Sequence, residues 1–311
     1  MAAILARHLH IIPAAAGPSV ARVPETVPWE MHETNIAMNR NTLTSLAPID
    51  APAVTESAAV IYANSFETGL SDWDAYGGSF NATRVASGTN GIVSATGGFH
   101  AESSPSGSAS RWGGYNFGAG AGVPTPFQEY STSVAIYLDV SGEWANQTRF
   151  DFSSAINRAD GNFWRDFVFN AGFYTAADAL GPGAGTKRFV ISASNYGQPA
   201  DADPKNPDQG PIAIATTGWH TFEHHFYAHA GWLEVAMSLF DGSHALVNTW
   251  TLRTAEPISA IGGNCYGWFA FNQFPTLAFD NAELRLHAAW GNRSAARHRF
   301  LPALRSQCLA R

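Results

Sequence analysis

The stretch from Gly218 to Leu286 alternates, and that alternation limits what the chain can fold into. It opens with Gly218-Trp-His-Thr-Phe-Glu-His-His-Phe-Tyr, where the even positions His220, Phe222, His224 and Phe226 share one face. It continues through Leu233, Val235, Met237 and Leu239, set against Glu234 and Ser238, and then through Val247-Asn-Thr-Trp-Thr-Leu. Tyr266-Gly-Trp-Phe-Ala-Phe-Asn and Leu277-Ala-Phe-Asp-Asn-Ala-Glu-Leu-Arg-Leu close it. Gly, Asn, Asp or Pro divides each piece from the next, as in antiparallel strands joined by short turns. The expectation is an all-β, two-sheet antiparallel sandwich, a jelly roll.

The rest of the chain agrees. A short strand ending in a polar turn is expected within 59–73, with Trp73 returning to the core. Further strands are expected at 130–140, 148–156, 163–174 and 188–196, with Val134, Ile136, Leu138 and Val140 on one face of 130–140 and Phe150 and Phe152 inward on 148–156. In 163–174, Phe163, Phe167, Phe169 and Phe173 form one face and Trp164, Asp166, Val168 and Asn170 the other. Arg165 falls on the aromatic side by count, which predicts a bulge or a strand start near it. Residues 77–122 read as edge strands and loops, and the Pro/Asp-rich run 197–211 as one long loop of the kind that often carries function. Residues 1–56 and 288–311 show no sustained period, so the expected organisation is a weakly structured segment 1–56, a sandwich domain 57–287 and a basic tail 288–311.

Composition narrows the partners. Charged residues are 14% of the 311 and the formal net charge is −7, which argues against nucleic acid or an anionic membrane as partner. No apolar run is long enough to span a membrane. The first residues read as a poor export signal, so the expectation is either that the protein is not exported by a standard signal or that the sequence does not begin at its natural start. Two cysteines, Cys265 and Cys308, make no disulfide framework. The sequons at Asn81, Asn146 and Asn292 are read as chance matches.

Two sets of motifs carry a resemblance. Gly218-Trp-His-Thr-Phe, then Gly231-Trp-Leu-Glu-Val, then Asp241-Gly is similar to the strand succession of the concanavalin A-like lectin/glucanase superfamily, in particular its bacterial members. Ser65-Phe-Glu-Thr-Gly-Leu-Ser-Asp-Trp and Phe279-Asp-Asn-Ala-Glu-Leu resemble the opening and closing strands of carbohydrate-binding sandwich modules. The resemblance covers roughly 59–286. It implies a lectin-like, glycan-binding or surface-associated sandwich without catalysis, outside the cell or at its surface. The alternatives are a polysaccharide lyase or glycoside hydrolase of the same fold and, third, a purely structural, matrix-type module.

The catalytic signatures of those relatives are absent. The glucanase pattern E-x-D-x-x-E does not occur, nor do the lyase patterns R-x-E-x-R and Q-x-H, and the glutamates of the core stretch stand apart from one another. A lyase site could still assemble from Arg165, Asn170, His220 and Tyr266. His220 and His224 share a strand face but sit about 13 Å apart, too far to share one ion, and read as core residues.

Sugars present an apolar C–H face ringed by hydroxyls, so a binding floor needs aromatics beside amides and carboxylates. Trp164, Asp166 and Asn170 offer this on one strand, Tyr196 with Ser192 and Ser194 on a second, and Tyr266, Trp268 and Asn272 on a third. The other reading makes Trp164 and Trp268 ordinary core residues. For Glu67 and Asp280 the resemblance implies one structural calcium ion, held between the first and last strands. The alternative is that Glu67 caps a turn and Asp280 binds backbone amides.

Overall fold

The computed structural model describes residues 59–70, 73, 82–105, 109–110, 115–116, 127–195 and 203–287, with the backbone alone at 109–110, 115–116, 265, 266, 268 and 270. The expected segments 1–56 and 288–311, together with Tyr196 and Cys308, lie outside these residues. Fifteen strands are described: β1 Ala59–Asn64, β2 Ala82–Ala86, β3 Phe99–Ser103, β4 Ala109–Ser110, β5 Tyr115–Asn116, β6 Tyr130–Leu138, β7 Arg149–Arg158 and β8 Phe163–Tyr174. They continue as β9 Arg188–Ser194, β10 Ile212–Ile214, β11 Gly218–His229, β12 Trp232–Phe240, β13 Leu246–Pro257, β14 Ile261–Asn272 and β15 Leu277–Leu286.

These strands build two antiparallel sheets. The first runs β13-β12-β11-β6-β15-β3-β2, with β1 also paired to β15; the second runs β10-β9-β8-β7-β14-β4, with β5 also on β14. The period-2 pattern explains the sandwich, because each strand can bury only one of its faces against the other sheet. From the first sheet Val134, Ile136, Phe222, Phe226, Val235 and Met237 point inward, and from the second Phe150, Phe152, Phe167, Phe169 and Phe269, nearly all with no exposed surface. Rings cross between the sheets edge to face, as in Phe169 to Phe222 at 5.1 Å and Phe167 to Phe226 at 5.5 Å.

The first and last strands pair, Ala59 opposite Leu286 and Asn64 opposite Ala282. The two end motifs then meet in the core. Phe279 lies 5.2 Å from Phe66 and 4.5 Å from Trp73, and Phe269 lies 5.2 Å from Phe279. Truncating any of these fully packed rings costs about 3–5 kcal/mol.

Arg165 sits at the bulge its position implied. The β7–β8 register shifts between Ile156 and Asn157, so Ile156 pairs with Arg165 and Asn157 with Phe163. Phe163 is thereby turned out, 45% exposed, instead of joining the aromatic face. Arg165 crosses the gap and forms a 2.6 Å ion pair with buried Glu256 of β13.

Arg188, fully buried, organises the connection before β9. Its guanidinium donates to the carbonyls of Pro182 (2.5 Å), Leu180 (2.8 Å) and Thr186 (2.9 Å), and pairs with Asp178 at 3.3 Å. One side chain thus satisfies backbone groups that the 175–187 loop cannot pair within itself.

Candidate functional site

β8 and β14, which carry two of the three aromatic-and-amide sets, lie in one sheet on either side of β7. The registers align three rows across its outer face. Tyr266, Ala155 and Asp166 form the first row; Trp268, Ser153, Val168 and Ser194 the second; Phe271, Asp151, Asn170 and Ser192 the third. Asp166 and Asn170 are about 13 Å apart along β8, with Ser153 diagonal to both.

Among the described residues of this face, Ser153 Oγ, Asp166 Oδ1 and Asn170 Oδ1 lack a hydrogen-bond partner, as does Arg149 Nε at its edge. Their neighbours are already engaged. Asp151 takes both of its oxygens to Arg149 at 2.7 and 2.9 Å, Asn170 Nδ2 donates to Ser194 Oγ at 3.0 Å, and Ser192 Oγ donates to Gln209 Oε1 at 3.0 Å. An unsatisfied buried acceptor costs about 1–3 kcal/mol, so a donor-bearing ligand has something to gain here. Burial pushes the Asp166 carboxyl up to about 7. Asp166 is half-buried and marks the open end of the row, whereas Ser153 and Asn170 are fully enclosed.

The expected long loop supplies part of the cover. Residues 203–211 include a 3-10 turn, Pro207–Gln209, and are anchored by the Gln209 contact, by Gly210 O accepting from the Trp250 indole at 2.8 Å, and by Lys205 reaching Asp178 at 3.1 Å.

Two of the expected floor residues stand elsewhere. Trp164, at the bulge, is half-buried and packs against the core, with the Arg158 guanidinium 5.3 Å above its ring. Asn272 faces inward. A register shift between Phe269 and Phe271 inserts one extra residue, so Phe271 takes the outer position and Asn272 the inner one. The Asn272 amide donates to Ser104 O at 3.1 Å and accepts from Phe274 N at 2.9 Å, which makes it a turn-holding residue. Tyr266 and Trp268 occupy the expected register positions; their side chains, like all of Tyr196, are outside the described residues. Ser153 was missed by reading β7 for its phenylalanines alone. The same alternation that sends Phe150 and Phe152 inward sends Asp151 and Ser153 out.

The lyase quartet does not assemble. Arg165 is committed to Glu256, Asn170 faces outward from the second sheet, and His220 is buried on β11 of the first, its Nδ1 3.0 Å from Gly218 O. His224 is also a core residue, set among Phe152, Phe169 and Phe226, with Nε2 donating to Phe167 O at 3.0 Å; burial pushes its pKa down to about 3.

Glu67, in the bend after β1, and Asp280, on β15, both approach the turn at 95–99. Glu67 accepts from Gly98 N and Phe99 N at 3.0–3.1 Å, and Asp280 from Thr96 N at 3.2 Å and Asn281 N at 2.8 Å. Burial raises the Asp280 carboxyl to about 6; the surrounding amides oppose the shift and the Glu67 charge adds to it. The arrangement is an amide clamp in which two like charges lie close together. A hard cation suits such a pair, with Asn281 Oδ1 nearby as a third oxygen. Among the described residues, no group of three or more His, Cys, Asp or Glu side chains converges as a metal site.

No family model and no curated protein matches the chain. Among solved structures it is similar to the CBM2 module of the evolved Dit of Lactobacillus casei BL23 phage J-1, at 9% identity over 76% of this chain and 100% of that one, with a TM-score of 0.38. It is also similar to the winged bean acidic lectin complexed with methyl-alpha-D-galactose, at 8% identity over 74% and 99% of the two chains, TM-score 0.37. The lectin from Bauhinia forficata in complex with GalNAc is similar at 10% identity over 74% and 98%, TM-score 0.32. These are likenesses between β-sandwiches, and at these identities and scores they carry no argument about the site.

Proposed function

We propose that this sandwich binds a glycan on the outer face of its second sheet, along the row from Asp166 to Asn170. The observation that carries the reading is the trio of unpartnered atoms, Ser153 Oγ, Asp166 Oδ1 and Asn170 Oδ1, on one face. Sugar hydroxyls supply the donors that these atoms lack. Trp268 and Tyr266, beside Ser153 and Ala155 in the register, are the aromatic partners in this proposal. The ligand enters at the Asp166 end, where the row is open. One structural calcium ion at Glu67 and Asp280 belongs to the same proposal, as a support for the 95–99 turn.

The test is retention of the purified chain on a panel of insoluble glycans, with Asp166→Ala, Asn170→Ala and Trp268→Ala as comparisons. Loss of one stacked ring or one buried acceptor weakens binding about tenfold. Wild type that no glycan retains, or variants retained as well as wild type, would overturn the assignment.

A further inference from the structure

The outer face of the first sheet is a separate surface, on the opposite side of the sandwich from Asp166. β11 and β12 are joined by a tight turn in which Ala230 and Gly231 have φ of 50° and 85°. Trp232 follows at once and stays 49% exposed. It borders a hollow of about 480 Å³ walled also by His229, Thr254 and Ala255. The ring thus offers an apolar face at the mouth of a hollow, where a ligand can stack.

Hydrogen-bonding groups surround it. Glu234, two residues on and on the same face, accepts from Tyr227 Oη at 2.9 Å and from Arg253 Nε at 2.6 Å. Arg253 is otherwise largely exposed, its side chain at 74%. Tyr227 is diagonal to Trp232 in the β11–β12 register, roughly 7–8 Å away. The rings continue beyond it: His225 lies 5.3 Å from Tyr227 and 4.8 Å from His287, and Glu129 is 2.7 Å from His225 Nε2. Aromatic faces and carboxylates therefore form one row across β12, β11 and the end of β15.

We infer that this row, from Trp232 through Tyr227 to His225, is a second binding site, and that it takes an extended neutral polysaccharide. Pyranose C–H faces stack on the rings while hydroxyls meet Arg253 and Glu129; buried Glu234, paired to both Tyr227 and Arg253, holds those two side chains in place. Charge disfavours a polyanion. Among the described residues of this face, Glu129, Glu223, Glu234 and Glu283 stand with Arg253 and Arg285, and both arginines are already paired to carboxylates. An apolar partner finds too little surface, because Ser131, Ser238 and Thr249 flank the rings.

The experiment is native electrophoresis in gels containing a soluble glucan, xylan or galactomannan, with polygalacturonate as the anionic control. Wild type should be retarded in at least one neutral gel. Trp232→Ala should weaken that retardation about tenfold without lowering the melting temperature, and Trp232→Tyr should keep most of it. If Trp232→Ala migrates like wild type, if no neutral gel retards the protein, or if only polygalacturonate does, the second site is overturned. Retardation lost in Asp166→Ala but kept in Trp232→Ala would leave the site on the other sheet standing alone.

Discussion

Glu67 and Asp280, from the two ends of the sandwich sequence, hold one turn between them: each carboxylate accepts backbone amides of residues 96–99. The contact joins the start of the domain to its end through a third segment.

If a calcium ion bridges the pair, millimolar calcium raises the melting temperature, because the ion binds the folded state preferentially. Asp280→Ala abolishes the increment. Melting curves that coincide with and without chelator would assign both carboxylates to the amide clamp alone.

Asp166 should govern part of the pH dependence. Its carboxyl is raised from 3.8 to about 7 in the folded state by burial, so the folded chain holds the proton more tightly than the unfolded one. This contribution is fully present below about pH 4 and is lost as pH rises through about 7. Asp166→Asn should flatten that fall in thermal melts taken from pH 4 to pH 8. A variant with the wild-type slope would place the titration elsewhere.

His224 acts with the opposite sign. Its folded pKa lies near 3, below the ordinary 6.5, so the unfolded chain binds the proton first as pH falls. Stability is present above about pH 6.5 and declines towards pH 3, by roughly 4–5 kcal/mol if the whole shift is expressed. His224→Phe should weaken the acid sensitivity, at the cost of the hydrogen bond to Phe167 O, about 1–3 kcal/mol. Urea melts at pH 7 and pH 4 separate the two effects.

Arg188→Met should destabilise the chain by about 3–5 kcal/mol, since it strands several buried carbonyls at once and leaves Asp178 to Lys205 alone among its cations. Limited proteolysis should then cut first within 175–187. Wild-type resistance in that loop would show that its backbone does not depend on the guanidinium.

Much of the sandwich was legible in period-2 alternation, because a strand with one buried face writes that face into every second residue. β11 and β12 are the clearest cases. What escaped were the insertions. One extra residue in β14 turned Asn272 inward, and the bulge at Trp164 drew that ring to the core edge; neither shift has a signature in a single strand, since register is a property of pairs. Arg165 was the exception, because a charge on an aromatic face pointed to a bulge or a strand start there, and the register shift beside it is the bulge. The row on the first sheet escaped for a related reason: alternation already sets Trp232 on the outer face with Glu234, but its neighbours Tyr227 and His225 come from another strand and meet it only through the β11–β12 pairing.

Because Ala59 pairs with Leu286, the sandwich is entered and left at neighbouring points on one strand pair. Its topology is therefore close to a ring, and the position of the break is a matter of connectivity more than of packing. A short linker joining 287 to 59, with new ends opened in the exposed turn at 242–245 between β12 and β13, should give a circular permutant that keeps both sheets. The same adjacency would let the domain be inserted whole into a surface loop of another protein without spreading the ends of that loop.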